Sequence, residues 1–322
     1  MRKWEARRLS VNLSGSLGLG AMKHVIGIDA GASKTVALVA DLKGEVLARG
    51  TASGANPRAV GVTAAVGQIK AAVESAWAAG PADPSECQAL YAGVAGVATP
   101  EEALAMHQRL VHLAPKLAVG SDLLIALKAA LPAGAGVLLL SGTGSAAYGI
   151  GPNQNTVQAG GWGQVVGDPG SGLSLGQAAI KAALAARDGV WPPGTKVAAG
   201  LLSHLHLDNW EQLRAWLSAN PEPAQIAALA PWLLELAQAG DLGAMELVNR
   251  AQEQLCRLGE AVVMRLELTG SFPLVLAGGV FQNPYWRQGI LARLQFRFPE
   301  ARLIWSQEEP ARGAVAMALA LI

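Results

Sequence analysis

The chain has 322 residues, a length that suggests two domains and a core large enough to need no disulfide or metal. Hydrophobic residues make up 51% and charged residues 15%, which excludes an intrinsically disordered chain. The net charge is +1, and Arg2, Lys3, Arg7 and Arg8 lie against Glu5 in the first 21 residues, so the remainder is slightly acidic and offers no basic surface to nucleic acid.

From the N-terminus, Leu9–Ala21 is interrupted by Asn12, Ser14 and Ser16 and makes a poor secretory signal. Met22 reads as the true start, with residues 1–21 a disordered N-terminal extension, because folded pattern begins at His24. Val25–Ile28, Val36–Ala40 and Glu45–Arg49 follow one another across tight turns and predict an antiparallel three-stranded meander. Val62, Val66, Ile69, Val73 and Trp77 recur at helical spacing. Ala89–Val94 predicts a strand, Glu101–Leu113 a helix, Leu117–Val119 a short strand and Asp122–Leu131 a helix.

The same order then restarts. Val137–Ser141 and Ala146–Ile150 predict two strands across Gly142-Thr-Gly-Ser145, with Val157–Ala159 a third, and Leu173–Arg187 a helix. Lys196–Leu268 is helical by pattern, broken at Asn220-Pro221 and near Gly240; Asp241 can cap a long helix that ends before Gly270. Leu274–Ala277 and Arg302–Trp305 predict strands and Ala311–Leu321 the closing helix. The pattern is therefore two βββαβαβ-like halves in tandem, an α/β chain whose second half carries a helical insertion.

Cys87 and Cys256 stand far apart with no C-x-x-C spacing, so thiolates alone hold no zinc ion or iron–sulfur cluster, and a reducing, cytoplasmic location is expected. No apolar run approaches the roughly 18 residues that span a membrane. Three strands end in glycine-rich turns, at Asp29–Thr35, Gly142–Ser145 and Gly278–Gly279, where successive N–H groups can form an anion-binding concavity. Ser33 stands where a P-loop needs glycine before its lysine, and no G-x-G-x-x-G opens a helix after the first strand. Two such turns at equivalent places in a repeated unit suit a polyphosphate gripped from both sides.

The ordered set Gly27-Ile-Asp-Ala-Gly-Ala-Ser-Lys-Thr35, Ser141-Gly-Thr-Gly-Ser145, Gly160-Gly-Trp-Gly163, Gly167-Asp-Pro-Gly-Ser171 and Leu276-Ala-Gly-Gly-Val280 resembles the N-acetylglucosamine kinase branch of the BadF/BadG/BcrA/BcrD ATPase family, within the sugar kinase/actin/Hsp70 superfamily. The resemblance runs from about residue 24 to the C-terminus. It implies two ribonuclease-H-like domains, 22–130 with 311–322 and 131–310 with an insertion at about 196–268, closing on ATP and Mg²⁺. It further implies a first phosphate turn at Gly31, Ala32, Ser33, Lys34 and Thr35, a second at Gly142, Thr143, Gly144 and Ser145, and an adenosine-side turn at Gly278 and Gly279.

Each remaining site residue has two readings. Asp29 is either a strand-end aspartate bonded to its own turn or, by the resemblance, the carboxylate that holds hydrated Mg²⁺. Asp122 is an N-cap candidate together with Ser121 or, by the resemblance, the base for the attacking sugar hydroxyl, kept ionised by the helix N-terminus. Asn56 is a turn residue or a sugar ligand; Asp168 caps a loop or accepts from a sugar hydroxyl; Trp162, beside Gly161, is core or sugar pocket. Ala146 stands where the resembling kinases often carry asparagine. His204 and His206 are expected on one helix facing different ways, and Trp210, Trp216 and Trp232 as core or dimer contact.

The resulting expectation is an ATP-dependent kinase acting on the 6-hydroxyl of N-acetylglucosamine or a close amino sugar such as glucosamine or N-acetylmuramic acid, working as a homodimer. The alternatives are an ATPase that activates a partner reductase and, for lack of a DNA-binding helix pair in residues 1–21, more remotely a sugar-sensing regulator.

Overall fold

A computed structural model describes residues 22–191 and 195–322; the expected extension 1–21 lies outside the described residues. The first sheet contains β1 (His24–Ala30), β2 (Lys34–Asp41), β3 (Val46–Ser53), β4 (Cys87–Val94) and β5 (Lys116–Ser121) in the order β3-β2-β1-β4-β5. β1, β2 and β3 pair antiparallel, whereas β4 and β5 run parallel to β1. The second sheet repeats this arrangement. β6 (Gly136–Ser141), β7 (Ser145–Ile150) and β8 (Thr156–Gly160) form the meander, and β9 (Pro273–Ala277) and β10 (Arg302–Trp305) extend it in parallel, in the order β8-β7-β6-β9-β10. The tandem pattern of the sequence is thus two copies of one ribonuclease-H-like topology.

Helix Val62–Ala78 buries Val66, Ile69 and Val73 of the expected stripe, with Ala65, Ala72 and Ala76, against β2 and β3. Its partner position Gly50 has no room for a side chain, because the helix backbone at Ala72 and Ala76 lies directly on β3. Trp77 donates its indole N–H to His24 Nε2 at 3.3 Å, while His24 Nδ1 lies 3.1 Å from the Met22 carbonyl. These two bonds fix one neutral tautomer of a fully buried histidine at the start of β1.

Two helices join the sheets. Helix Asp122–Ala130 follows β5 but turns Leu123, Ala126 and Leu127 onto Leu138, Tyr148 and Val275 of the second sheet. The closing helix Pro310–Leu319 does the reverse: it follows β10 and packs Ala311, Ala314, Val315 and Ala318 on β1, β2 and β4 of the first sheet. They cross where Gly313 meets the backbone of Ile125 and Ala129, and the Ile125 side chain fills the space that Gly93 leaves open on β4.

The insertion contains helices Lys196–His204, Trp210–Ser218, Pro223–Ala227 and Ala230–Gln238, before Leu242–Arg265 returns across the second sheet with Asp241 accepting from Ala244 N at 2.9 Å. Trp210, Trp216 and Trp232 pack on the small core of Ile180, Leu201, Leu213 and Leu229, in agreement with the core reading. Trp232 stacks on His204 with 4.9 Å between centroids, and His206 is not helical, having φ of +56°. The sequence pattern assigned no element between 280 and 301, where the structure has helix Pro284–Arg297, capped by Asn283 accepting from Trp286 N at 3.1 Å.

Gly313→Ala is expected to cost about 3 kcal/mol in urea denaturation, since a methyl there meets backbone that cannot yield. Gly93→Ala is expected to cost about half as much, and Ile125→Val to restore part of it, because the obstacle there is a side chain.

Candidate active site

The carboxyl ends of β1, β4 and β5 carry the first group of site residues, as expected for ligands of a parallel sheet. Asp29, Gly93 and Gly120 form one row across these strands, and Asp122 stands two residues beyond Gly120. Ser121 is the N-cap: its hydroxyl accepts from Leu123 N at 3.1 Å, and Asp122 Oδ1 accepts from the same N–H at 3.0 Å. Asp122 is therefore the first helical residue rather than the cap. Burial pushes its pKa above the ordinary value and outweighs the Ser121 hydroxyl and Leu123 N–H that favour the ionised form. The expectation that the helix N-terminus keeps it ionised is corrected: burial favours the protonated form.

Asp29 is also raised, from 3.8 to about 7, first by burial and then by the negative charge of Asp122, with a smaller push from Glu309; Lys34 pulls the other way. Glu309, whose negative charge reaches Asp29, was missed by the sequence reading. It precedes the closing helix, 280 positions from Asp29 in the chain, and its carboxylate holds Arg49 at 2.7 Å. Only tertiary structure brings it to β1.

The β1–β2 turn has an exposed tip at Ala32, Ser33 and Lys34. Its carbonyls face inward: Ala30 O accepts from Ala95 N and Gly31 O from Ala55 N, both at 2.9 Å. A trans peptide sets its C=O and following N–H on opposite sides, so the Ala32 N–H is directed outward. Thr35 is fully buried, and its hydroxyl donates to the Ser53 carbonyl at 2.7 Å, so that side chain ties the turn to β3.

The β6–β7 turn repeats this device with one residue fewer between the paired ends, Ser141 and Ser145. Gly142 O accepts from Gly172 N at 2.8 Å and Thr143 O from Leu173 N at 3.2 Å. The first N–H groups of helix Gly172–Arg187 thus hold the turn's carbonyls and leave the N–H groups of Thr143 and Gly144 directed away from the helix. Ser141 Oγ and Ser145 Oγ donate to Gly170 O and Pro169 O at 2.7 and 2.8 Å, so the Ser145 side chain also faces inward. Gly278, with φ of +107°, lies against the Ser141–Gly142 backbone, which brings Gly278 and exposed Gly279 beside this turn.

Asp168 sits beneath the second turn, buried, with φ of +60°; burial raises its pKa, opposed by the Ser145 and Gly163 N–H groups. That is the loop-capping geometry. Trp162 is 83% exposed and is not core; it follows Gly161 on a loop that also exposes Val165 and Val166. Asn56 Oδ1 accepts from Arg58 N at 2.9 Å, and Ala55 anchors its loop to the first turn. No group of three or more His, Cys, Asp or Glu side chains suited to a metal occurs among the described residues. Nor is any helix among them long and apolar enough to cross a membrane.

The raised Asp29 value sets a sign for stability: the contribution is fully present below about 3.8 and is lost as pH rises towards about 7. In metal-free buffer Asp29→Asn is expected to melt higher than the parent protein at pH 8, with the difference closing near pH 4.

The sequence profile of the BadF/BadG/BcrA/BcrD ATPase family matches residues 26–318. The N-acetylmuramic acid/N-acetylglucosamine kinase of Clostridium acetobutylicum is 29% identical over 308 residues, covering 92% of this chain and 98% of that protein. The N-acetyl-D-glucosamine kinase of Dictyostelium discoideum is 29% identical over 315 residues, covering 91% and 97%. Among solved structures, a candidate N-acetylglucosamine kinase from Chromobacterium violaceum matches with a TM-score of 0.75 and 26% identity over 92% of this chain and 98% of that one. A ROK family glucokinase from Streptomyces griseus, solved with glucose and AMPPNP, matches in fold with a TM-score of 0.56 and 20% identity over 92% and 99%.

Proposed function

The chain belongs to the BadF/BadG/BcrA/BcrD ATPase family, and we propose that it is an ATP-dependent sugar kinase that phosphorylates the 6-hydroxyl of N-acetylglucosamine or a close amino sugar. The observation that carries this reading is the pair of carboxylates, Asp29 and Asp122, at the carboxyl ends of parallel strands in a duplicated sheet whose two meanders each turn outward-facing amides at a glycine-rich tip. The two relatives named as kinases of N-acetylated amino sugars support the acceptor class.

In this reading the tips at Ala32–Lys34 and Thr143–Gly144 bind the triphosphate through their N–H groups, while the Gly31 and Gly142 N–H groups close their own turns on Lys34 O and Gly144 O at 3.0 and 2.9 Å, and Gly278-Gly279 borders the adenosine. Asp122 accepts the proton of the sugar hydroxyl as its oxygen bonds to the γ-phosphorus and the bond to the departing ADP breaks. Its raised pKa makes it a stronger base than an exposed aspartate. Asn56 and the Gly161–Trp162 segment contact the sugar; Asp168, expected to accept from a sugar hydroxyl, instead accepts from the Ser145 and Gly163 N–H groups and holds the Gly161–Gly163 loop to the second turn.

Asp29 fits a hydrated Mg²⁺: it is a hard oxygen donor in surroundings already crowded with negative charge, and magnesium commonly takes one or two carboxylates plus phosphates. Bound there, the ion would neutralise charge on the transferring phosphoryl group. The domain boundaries that go with this reading are 22–130 plus 311–322 and 131–310, and its assembly is a cytoplasmic homodimer.

The alternative of a reductase-activating ATPase gains nothing from the cysteines. Cys87 and Cys256 are both buried, and burial pushes their thiols up to about 11 and about 12, the reverse of what a cluster-binding thiolate needs.

ADP release measured across N-acetylglucosamine, N-acetylmuramic acid, glucosamine and glucose is expected to be stimulated by at least one N-acetylated sugar; equal release without any sugar would sink the kinase reading. Asp122→Ala is expected to lower turnover about 10²–10⁴-fold with the ATP KM little changed.

A further inference from the structure

We propose that Arg58 and Glu102 are positioning residues that hold Asn56 with its Oδ1 against the Arg58 and Gly96 backbone, so that its carboxamide turns its NH₂ end to the acceptor. The proposal rests on the sugar-kinase reading and adds to it a direction for one contact. Asn56 begins the short turn Pro57–Val60, and its Oδ1 accepts from Arg58 N at 2.9 Å, with the Gly96 backbone closing over the same end. A backbone N–H can only donate, so the assignment of Oδ1 is fixed by its partner and the amide NH₂ is the end left for a ligand. The atom it meets on the acceptor is therefore an oxygen lone pair, of a hydroxyl or of an N-acetyl carbonyl, and not an N–H.

The turn is tied down on its far side. Arg58 extends its guanidinium to Glu102 Oε1 at 2.8 Å, while Glu102 Oε2 accepts from Ala98 N at 2.8 Å and Thr99 N at 3.1 Å. Thr99 and Glu102 form a reciprocal capping box at the start of helix Pro100–Leu110. The Ala98 N–H foremost, with Arg58 and Thr99 assisting, holds the Glu102 carboxyl below the usual range, so the pair stays charged at neutral pH. Glu102 is thus a fixed post, and Arg58 is the strap from it to the Asn56 turn. Gly96, with φ of +84°, closes the third side: a side chain there would collide with Asn56 Oδ1 and crowd Arg58 Cγ. Arg58 itself is exposed, and an exposed ion pair by itself contributes little to stability, so its effect is expected in ligand binding rather than in folding.

The test is steady-state ADP release with N-acetylglucosamine varied at saturating ATP, and ATP varied at saturating sugar. Arg58→Ala and Glu102→Gln are each expected to raise the sugar KM about tenfold, with kcat and the ATP KM within about twofold. Glu102→Gln keeps an oxygen for the capping N–H groups, so helix Pro100–Leu110 keeps its start. The double variant is expected to be no worse than either single one, because both remove one contact. Arg58→Lys, which can still reach Glu102, is expected to recover most of the loss, and Gly96→Ala to reproduce it. An unchanged sugar KM in Arg58→Ala overturns the proposal and leaves the kinase reading intact. So does a rise matched by equal falls in kcat, ATP affinity and melting temperature. A parent protein that no sugar stimulates overturns both.

Discussion

The close crossing of helices Asp122–Ala130 and Pro310–Leu319 is the contact on which the rest of the molecule depends. Helix Asp122–Ala130 follows the first sheet and lies between the two, and Pro310–Leu319 follows the second and packs on the first, so the chain is laced across its own middle. Gly313 permits the crossing, and Ile125 is keyed into Gly93 from the same helix that begins with Asp122. The same contact sets where that carboxylate stands relative to Asp29 on β1. Packing and chemistry share one lever: a rotation of either helix about the crossing moves Asp122 and the second sheet together.

The two meander tips show how a repeated topology yields two similar but unequal turns with outward-facing amides. In both, inward carbonyls are satisfied by N–H groups from segments distant in sequence, and the trans geometry of the peptide turns the amides outward. The donors differ. The first turn leans on the loops after β3 and β4, which also carry Asn56 and Gly96, so the turn and those loops form one hydrogen-bonded unit. The second turn leans on the start of helix Gly172–Arg187, whose own donors would otherwise be unpaired.

Much of this architecture was legible in the sequence, because burial imposes periodicity. The meanders, the stripe from Val62 to Trp77 and the Asp241 cap follow from apolar spacing and local capping chemistry. Helix Pro284–Arg297 was missed because its buried positions, Trp286, Ile290 and Leu294, are interleaved with arginines and a glycine; the Asn283-Pro284 start was the available signal. The glycine turns were legible as turns, but not which side chains serve them. The resemblance places Thr35 and Ser145 in the phosphate turns, and the structure turns both hydroxyls to backbone carbonyls. Glu309 beside Asp29 and the Arg58–Glu102 strap join positions 280 and 44 residues apart, which no local pattern encodes.

The exposed indole of Trp162 has a spectroscopic consequence. The chain carries nine tryptophans; Trp77, Trp286 and the insertion's three are buried or partly so, and Trp305 is covered by the Arg287 guanidinium 3.7 Å from its ring centroid. Among the described residues, red-edge emission and acrylamide quenching therefore belong chiefly to the loop that follows β8, where Trp162 is 83% exposed against 39% for Trp305, an intrinsic optical reporter with no label attached.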